Sequence, residues 1–345
     1  MKRLLASLLF AGTLMAGVPA LAAPSVNPDE WTLYKSRFLD VSGRIIDDAN
    51  GSISHSEGQG YGLLLAVFAD AQADFDLIWS FTRTELLLRD DGLAVWKWEP
   101  GASPHVTDPN NATDGDILIA YALGLAGDAW NRPDLLAAGQ ALASAIAQHT
   151  LKEDGGRLLL MPAAAGFGRA DRPDGPVVNP SYWVWEAFPV LQRLWPEGPW
   201  ERVESDGAAL LPQARMGETG LPPDWLSVHT RPVPADGFPA EFAYNAIRVP
   251  LYLMRAGRTE RDLLAPMLEN MSNGQGAVRT VKPDGATGET LADPGYRIIP
   301  ALGACLLDKT PIPAELRTLS ATAYYPSTLQ LLALSFARSR HAECL

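Results

Sequence analysis

The sequence predicts an all-α fold in which helices of two kinds alternate around a ring. Three observations support this prediction: apolar stretches recur with helical spacing, they alternate between wholly apolar and amphipathic, and strand signals are few. Hydrophobic residues make up 47% of the 345 residues, so the chain can bury a large core. No linker rich in Pro, Gly or Ser divides the sequence, and we expect a single domain over residues 23–345.

The first 22 residues are expected to be a signal peptide and not part of the fold. Lys2 and Arg3 precede an apolar stretch over 4–18 that is short for a membrane span, and Ala20 and Ala22 fit a cleavage site. A membrane anchor is the alternative. Cleavage would place the protein in the periplasm or outside the cell. It would leave 26 basic against 40 acidic residues, a net charge of −14.

Twelve segments have helical patterns, and they form two classes of six. Helices that are apolar on nearly every side belong inside a large protein, whereas amphipathic helices have one face in water. The inner segments are 61–68, 117–126, 182–194, 246–254, 296–307 and 324–336, and the outer segments are 31–39, 75–88, 133–151, 200–215, 260–271 and 312–319. This alternation predicts helical hairpins in a ring. The loops before the inner helices then meet at one end, where we expect a binding cleft.

Strand signals are confined to two places. Residues 157–161 form a short apolar run, and residues 277–289 have a hairpin pattern with Pro283-Asp284-Gly285 as the turn. We expect both to be minor β-hairpin decoration at the rim.

Composition excludes several classes of function. A formal charge of −12 argues against nucleic-acid binding, which needs a cationic surface. The five histidines are scattered, and no Gly-x-Ser-x-Gly or Walker A motif occurs, so we expect no transition metal and no cofactor. A calcium site built from Asp and backbone oxygens stays open. Cys305 and Cys344 are either a disulfide or two free thiols, because spacing alone does not fix their geometry.

The first group of polar residues precedes the first inner segment. Ser54 and Glu57 have the spacing of a helix capping box, which is the structural interpretation of this pattern. Gly58, Gly60 and Gly62 follow, and glycine destabilises a helix. Three destabilising glycines so close together favour the functional interpretation, in which the absence of side chains lets a ligand approach Glu57 closely.

The second group, Asn-Ala-Thr-Asp-Gly-Asp over 111–116, precedes the next inner segment. Asp114 and Asp116 suit an N-terminal helical turn, yet the helix that follows is apolar for ten residues. An acid that faces a barrel axis needs hydrogen-bond partners or a ligand, and we expect Asp116 to bind substrate. Tyr182, Arg248 and Trp96 occupy similar places, and aromatic rings beside carboxylates suit a sugar site, although core packing would equally explain Trp96.

At these residues the sequence resembles glycoside hydrolase family 8, and more narrowly the periplasmic endo-β-1,4-glucanases of bacterial cellulose-synthesis operons. The resemblance covers the mature chain. Its carrying segments are SHSEGQGYG at 54–62, NNATDGDILIAYALGLAG at 110–127, LPPDW at 221–225 and AIRVPLY at 246–252. The family fold is an (α/α)6 barrel of six inner and six outer helices, in agreement with the segment count above.

The resemblance implies hydrolysis of internal β-1,4 bonds in a cellulose-like glucan with inversion at the anomeric carbon. Glu57 matches the general acid and Asp114 the acid that binds the sugar at the point of cleavage. Tyr182 matches the tyrosine near the attacking water. Trp96 is expected to stack on a glucose ring, and Arg248 to orient the group at position 245. The implied partners are the glucan chain and, functionally, the cellulose synthase machinery.

One residue departs from the family pattern. The general base is usually an Asp where this chain has Asn245, and a carboxamide does not hold a proton at neutral pH. Candidates for a displaced base are Asp236 and Glu241, with Glu186 and Asp108 more distant in sequence.

Three hypotheses follow from this departure. The protein is an inverting glucanase with a displaced base, a weakly active or inactive glucan-binding protein, or a hydrolase of another β-1,4 polymer such as chitosan or xylan.

Overall fold

The structure is a computed structural model that describes residues 24–272 and 276–345. The expected signal peptide, 1–22, lies outside the described residues. Within these two ranges, no helix combines the length and the apolar character that crossing a membrane requires.

The described residues form eleven α-helices, which confirms the all-α prediction. Their bounds are α1 Pro28–Phe38, α2 Ser56–Phe68, α3 Gln72–Phe81, α4 Thr113–Ala129, α5 Pro133–His149, α6 Phe188–Leu194, α7 Trp200–Leu210, α8 Val249–Arg255, α9 Arg261–Asn270, α10 Pro294–Asp308 and α11 Tyr324–Arg340. Helices α2, α4, α6, α8, α10 and α11 lie in the segments predicted to be inner, and the other five lie in segments predicted to be outer. Nearly all side chains of α2, α4 and α11 are buried, as their all-round apolar sequences predict.

Three of the twelve helix predictions are wrong in part. Residues 312–319 form only a 3₁₀ turn at Ala314–Leu316, because Pro311 and Pro313 each lack a backbone donor; the sixth outer helix is therefore absent from the described ranges. Residues 182–187 are irregular and lead into the short α6. Helix α10 is amphipathic and has a partly exposed face that includes Arg297.

In the described part of the chain, nine short strands decorate the barrel. Both predicted strand regions are confirmed as antiparallel hairpins, β3–β4 and β8–β9. Two further sheets were not predicted: β1 pairs with β2, and β6 lies between β5 and β7. The bounds are β1 Ser54–His55, β2 Lys97–Trp98, β3 Leu151–Asp154, β4 Arg157–Leu160, β5 Val177–Val178, β6 Leu226–Ser227, β7 Val233–Pro234, β8 Val278–Val281 and β9 Thr287–Leu291.

The ring closes between the first and last helices. Arg338 on α11 donates two hydrogen bonds, of 2.6 and 2.9 Å, to the Glu30 carboxylate on α1. The Tyr34 and Thr328 hydroxyls of the same helices lie 2.8 Å apart. These contacts join residues about three hundred positions apart in the sequence, so they complete the barrel.

Cys305 and Cys344 form a disulfide, with Cα atoms 5.7 Å apart. The bridge ties the C-terminal turn to α10, which resolves the two alternatives left by the sequence.

Gly60 and Gly62 serve helix packing and not ligand approach, which corrects the sequence interpretation at these two positions. A Cβ on Gly60 would lie 2.5 Å from Leu118 Cβ on α4. A Cβ on Gly62 would lie 2.5 Å from Ile45 Cγ1. Because real Cβ atoms do not come this close to other atoms, these glycines allow α2 to approach its neighbours.

We expect Gly60→Ala to lower the free energy of unfolding by about 1–3 kcal/mol, because the added methyl group overpacks the contact between α2 and α4. Urea denaturation measures this change. Gly101→Ala is the control, since its added methyl group would meet no atom of the described residues within 4 Å. Equal stability of the two variants would show that α2 and α4 can separate without cost.

Candidate active site

Glu57 lies in the first turn of α2, where its side chain is free of a capping role. The N-cap residue is His55, whose Nδ1 accepts a 2.9 Å hydrogen bond from the Gly58 amide. The Ser54 hydroxyl instead donates to the Ile45 carbonyl. The capping-box interpretation of Ser54 and Glu57 is therefore wrong, and the Glu57 carboxylate is available for another interaction.

That interaction is with Arg248, which joins two acids across the barrel axis. Its Nη1 donates to Glu57 and its Nη2 donates to Asp114 Oδ2 at 2.6 Å. The Arg248 and Asp114 side chains are each only 3% exposed. Arg248 was expected from the sequence to orient residue 245; its guanidinium instead binds the two acids, which come from α2 and α4.

Burial and the neighbouring Arg248 cation act in opposite directions on the pKa of Asp114. Burial raises its pKa to about 7, Arg248 opposes the increase, and the Glu57 carboxylate adds to it. One guanidinium therefore faces two carboxyl groups. The Asp114 carboxyl therefore retains a proton in mildly acidic solution.

Asp116, predicted to bind substrate, supports a loop. It is fully buried, and it accepts hydrogen bonds from the Ala94 amide at 2.8 Å and from Asn111 Nδ2 at 2.9 Å. Burial raises its pKa to about 7. Both oxygens have protein partners and the side chain is buried, so Asp116 positions the segment that precedes Trp96.

Trp96 lines the cleft and is held there by the pairing of β1 with β2. Its carbonyl accepts a 3.0 Å hydrogen bond from the Ser56 amide, and its indole Nε1 donates to Asp108 at 2.8 Å. The Lys97 ammonium lies 5.0 Å from the ring centroid. Because its indole edge is fixed, the ring has a defined orientation at the cleft.

A second group of aromatic residues forms the opposite part of the cleft. Strand β5 precedes Tyr182, strand β6 follows Trp225, and their pairing brings these two rings to a centroid distance of 6.1 Å. Trp225 also stacks on Phe238 at 4.5 Å and on Phe167 at 5.5 Å. Burial raises the pKa of Tyr182 well above its ordinary value, so its hydroxyl stays neutral and can hold a water molecule.

Asn245 also lines the cleft, and a carboxylate lies directly behind it. Asn245 Nδ2 donates to Asp224 Oδ2 at 3.2 Å. Asp224 further accepts backbone hydrogen bonds from Ala243, Asn245 and Ala246 at 2.8–3.2 Å. This acid belongs to the LPPDW segment, yet the sequence patterns did not single it out. Its role depends on amides some twenty residues further on, which no local pattern reveals.

None of the four acids proposed as a displaced base lines the cleft within the described ranges. Asp108 binds the Trp96 indole, and Glu241 contributes its carbonyl to the Asp224 amide. Asp236 contacts Asp174 and Arg172 through its backbone.

Glu186 is remote from the cleft. It pairs with Arg255 at 2.6 Å beside a separate cavity of about 620 Å³. Arg255 is the last residue of α8 and Arg248 is its N-cap residue, so the two lie at opposite ends of this helix, about 10 Å apart along its axis.

The cleft therefore unites most of the predicted residues with several that were missed. It has a volume of about 660 Å³, and Glu57, Trp96, Tyr182, Asn245 and Arg248 all line it. Buried Asp114 lies behind this wall. The missed lining residues are Asp47, His55, Trp225, Tyr244, Asp293, Tyr296, Tyr324 and Tyr325. Five of these are aromatic residues within or near segments that the sequence analysis singled out, and the aromatic excess at those positions was the signal available.

A barrel of alternating helices with acids and aromatic rings at one end defines a glycoside hydrolase. The model for glycosyl hydrolases family 8 matches residues 3–339. The chain belongs to this family, whose (α/α)6 barrel is the fold that the sequence predicts.

Relatives and solved structures agree with this assignment. A probable endoglucanase of Novacetimonas hansenii is 37% identical over 324 residues, which is 92% of each chain. An endoglucanase of Cellulomonas uda is 38% identical over 65% of this chain and 62% of its own. The endo-β-1,4-glucanase CMCax from Acetobacter xylinum has a TM-score of 0.83 and 35% identity, over 92% of this chain and 99% of that one. The family 8 endoglucanase Cel10 from Klebsiella pneumoniae has a TM-score of 0.82 and 31% identity, over 90% and 100%.

We expect kcat/KM to fall as pH rises through about 7, because the Asp114 carboxyl, which shares Arg248 with Glu57, then loses the proton that it carries in mildly acidic solution. The measurement uses an uncharged oligosaccharide substrate, with circular dichroism to verify folding at each pH. The fall should persist in Asp116→Asn, which removes the other carboxyl group of similar pKa. Constant activity up to pH 9 would contradict a role of the Asp114 proton in catalysis.

Proposed function

We propose that the protein is an endo-β-1,4-glucanase that cleaves internal bonds of a cellulose-like glucan with inversion at the anomeric carbon. The observation that supports this most is the buried Arg248 shared by Glu57 and Asp114 at the wall of an aromatic cleft. The relatives named endoglucanases support the activity and the substrate class.

In this proposal each group at the cleft has a separate task. Glu57 gives its proton to the leaving glycosidic oxygen, and Asp114 accepts hydrogen bonds from the sugar at the point of cleavage. Trp96 stacks on a neighbouring glucose, whose apolar face matches an indole ring. Tyr182 holds the attacking water. Inversion requires that water to attack from the face opposite the leaving group, so the barrel must leave room for it between the acid and the base.

Asn245 favours one alternative, a glucan-binding protein with weak or no hydrolysis. The residue lines the cleft where the resemblance places a basic carboxylate, while the binding surface is intact. Robust wild-type turnover would exclude this alternative. A panel of cellulose, chitosan and xylan oligomers distinguishes the remaining possibility, a hydrolase of another β-1,4 polymer.

We expect Glu57→Gln to reduce hydrolysis of cello-oligosaccharides by about 10²–10⁴-fold, because glutamine cannot protonate the leaving oxygen. Proton NMR of the wild-type reaction should show the α-anomer as the first product. Glu201→Gln, at an exposed position on α7, is the control and should keep full activity. Retained activity in Glu57→Gln would contradict the acid assignment, and a β-anomer would contradict inversion.

We further propose that the protein is exported and acts beside bacterial cellulose synthesis. The disulfide supports export, because such bridges form in oxidising compartments. The association with synthesis rests on the family resemblance.

We expect the periplasmic or secreted protein to begin at Ala23 and to contain no free thiol, as N-terminal sequencing and thiol titration measure. The same chain made in the cytosol without residues 1–22 is the comparison, and its thiols should titrate. An uncleaved N-terminus in a membrane fraction would contradict the signal-peptide prediction.

A further inference from the structure

At position 245 the cleft has a carboxamide where the resemblance places the base, yet it has a path to a carboxylate. The side chain of Asn245 lines the cleft, whereas Asp224 is 8% exposed and is not part of the cleft wall. The Asn245 carboxamide therefore lies between the cleft and the Asp224 carboxylate, with Nδ2 and Oδ2 separated by 3.2 Å.

The surroundings of Asp224 fix which oxygen faces the amide. Oδ1 accepts hydrogen bonds from the Ala243 and Ala246 amides at 2.9 and 2.8 Å. Oδ2 accepts from the Asn245 amide and side chain, both at 3.2 Å. The longer and weaker bonds are thus on the oxygen directed towards Asn245. Because Nδ2 points to Asp224, the Asn245 Oδ1 atom is the end of the carboxamide left to accept a hydrogen bond from a water molecule.

We propose that Asn245 and Asp224 form a proton relay that replaces the missing base. This inference rests on the proposed hydrolysis. As the water oxygen bonds to the anomeric carbon, one water proton moves to Asn245 Oδ1 while an Nδ2 proton moves to Asp224 Oδ2. The glycosidic C–O bond breaks, and the leaving oxygen takes the Glu57 proton. Asn245 becomes a neutral imidic acid and returns to the amide when the proton passes back and out to solvent, and Glu57 is reprotonated from water.

The relay agrees with the chemistry of an amide. A carboxamide does not hold an extra proton at neutral pH, but it need not do so if it gives one proton away as it receives another. The proton therefore ends on a carboxylate, as it does in inverting glycosidases whose base contacts the water directly.

Among the described residues, two other carboxylates line the cleft and offer the competing explanation. Asp47 lies 3.4 Å from His55 Nε2, so it already has a partner. Asp293 precedes α10 beside Tyr296 and has no path through Asn245. A direct base at Asp293 would make both Asn245 and Asp224 dispensable for proton transfer.

The test is a double-mutant cycle with azide rescue. Asp224→Asn and Asn245→Ala should each reduce turnover of cello-oligosaccharides by about 10²–10⁴-fold. Sodium azide attacks the anomeric carbon without losing a proton, so it should restore cleavage in both variants and yield an α-glycosyl azide. Asn245→Asp places a carboxylate directly on the cleft, so adding Asp224→Asn to it should cost much less turnover than Asp224→Asn costs in the wild type.

The outcomes separate a relay from a structural role. If Asp224→Asn costs the same in both backgrounds and azide restores nothing, Asp224 only holds its loop and the relay is wrong. If Asp224→Asn keeps turnover, or if azide rescues Asp293→Asn alone, the base is elsewhere and the relay is also wrong. Should Asp224→Asn fail to fold, Asn245→Ala decides, because it leaves Asp224 and its backbone contacts in place.

The control and the wild type complete the experiment. Asp206→Asn is a matched control, since Asp206 accepts a backbone hydrogen bond from Leu158 far from the cleft and its loss should produce no azide effect. Wild-type hydrolysis to an α-product stands independently of these variants, so a failed relay leaves the proposed function intact. A wild type without turnover would overturn both.

Discussion

One buried cation determines how this active site is held together. Arg248 joins Glu57 on α2 and Asp114 on α4 across the axis, and its side chain is almost entirely removed from water. One turn further along, the Tyr61 and Tyr252 hydroxyls connect α2 with α8 again. Removing one partner of a buried ion pair costs about 3–5 kcal/mol, because the remaining charge is left without compensation. The geometry of the acids is therefore inseparable from the packing of three inner helices.

The cleft is built on that cation by short backbone pairings at one end of the barrel. Strands β1 and β2 join the Glu57 and Trp96 segments, and strands β5 and β6 join the Tyr182 and Trp225 segments. Each pairing spans only two residues of each strand. Because most inner helices begin at this end, α6 being the exception, the barrel supplies rigid supports while the connecting segments supply the chemistry.

Most of the barrel and much of the cleft were predictable from local pattern. Apolar periodicity located the helices, and the rule that loops before inner helices share one end grouped Glu57, Trp96, Tyr182 and Arg248. The prediction of a sixth outer helix failed because Pro311 and Pro313 outweigh the apolar spacing around them. The partners of Arg248 and the position of Asp224 depend on distances across the ring. Such distances follow from how helices pack and not from the sequence within any one helix, so they were beyond sequence reasoning.

The contacts between the first and last helices also hold the two ends of the described chain together. These contacts join Glu30 to Arg338 and Tyr34 to Thr328. Arg338 reaches the Ser25 carbonyl at 3.3 Å, so the first and last described segments touch. In a ring closed in this way, every helix packs against neighbouring helices, whichever helix comes first in the sequence. The native order of the helices is then one of several cyclic orders compatible with the same architecture. Closure of the ring is also non-local, because its contacts join α1, which is synthesised early, to α11, which is synthesised late.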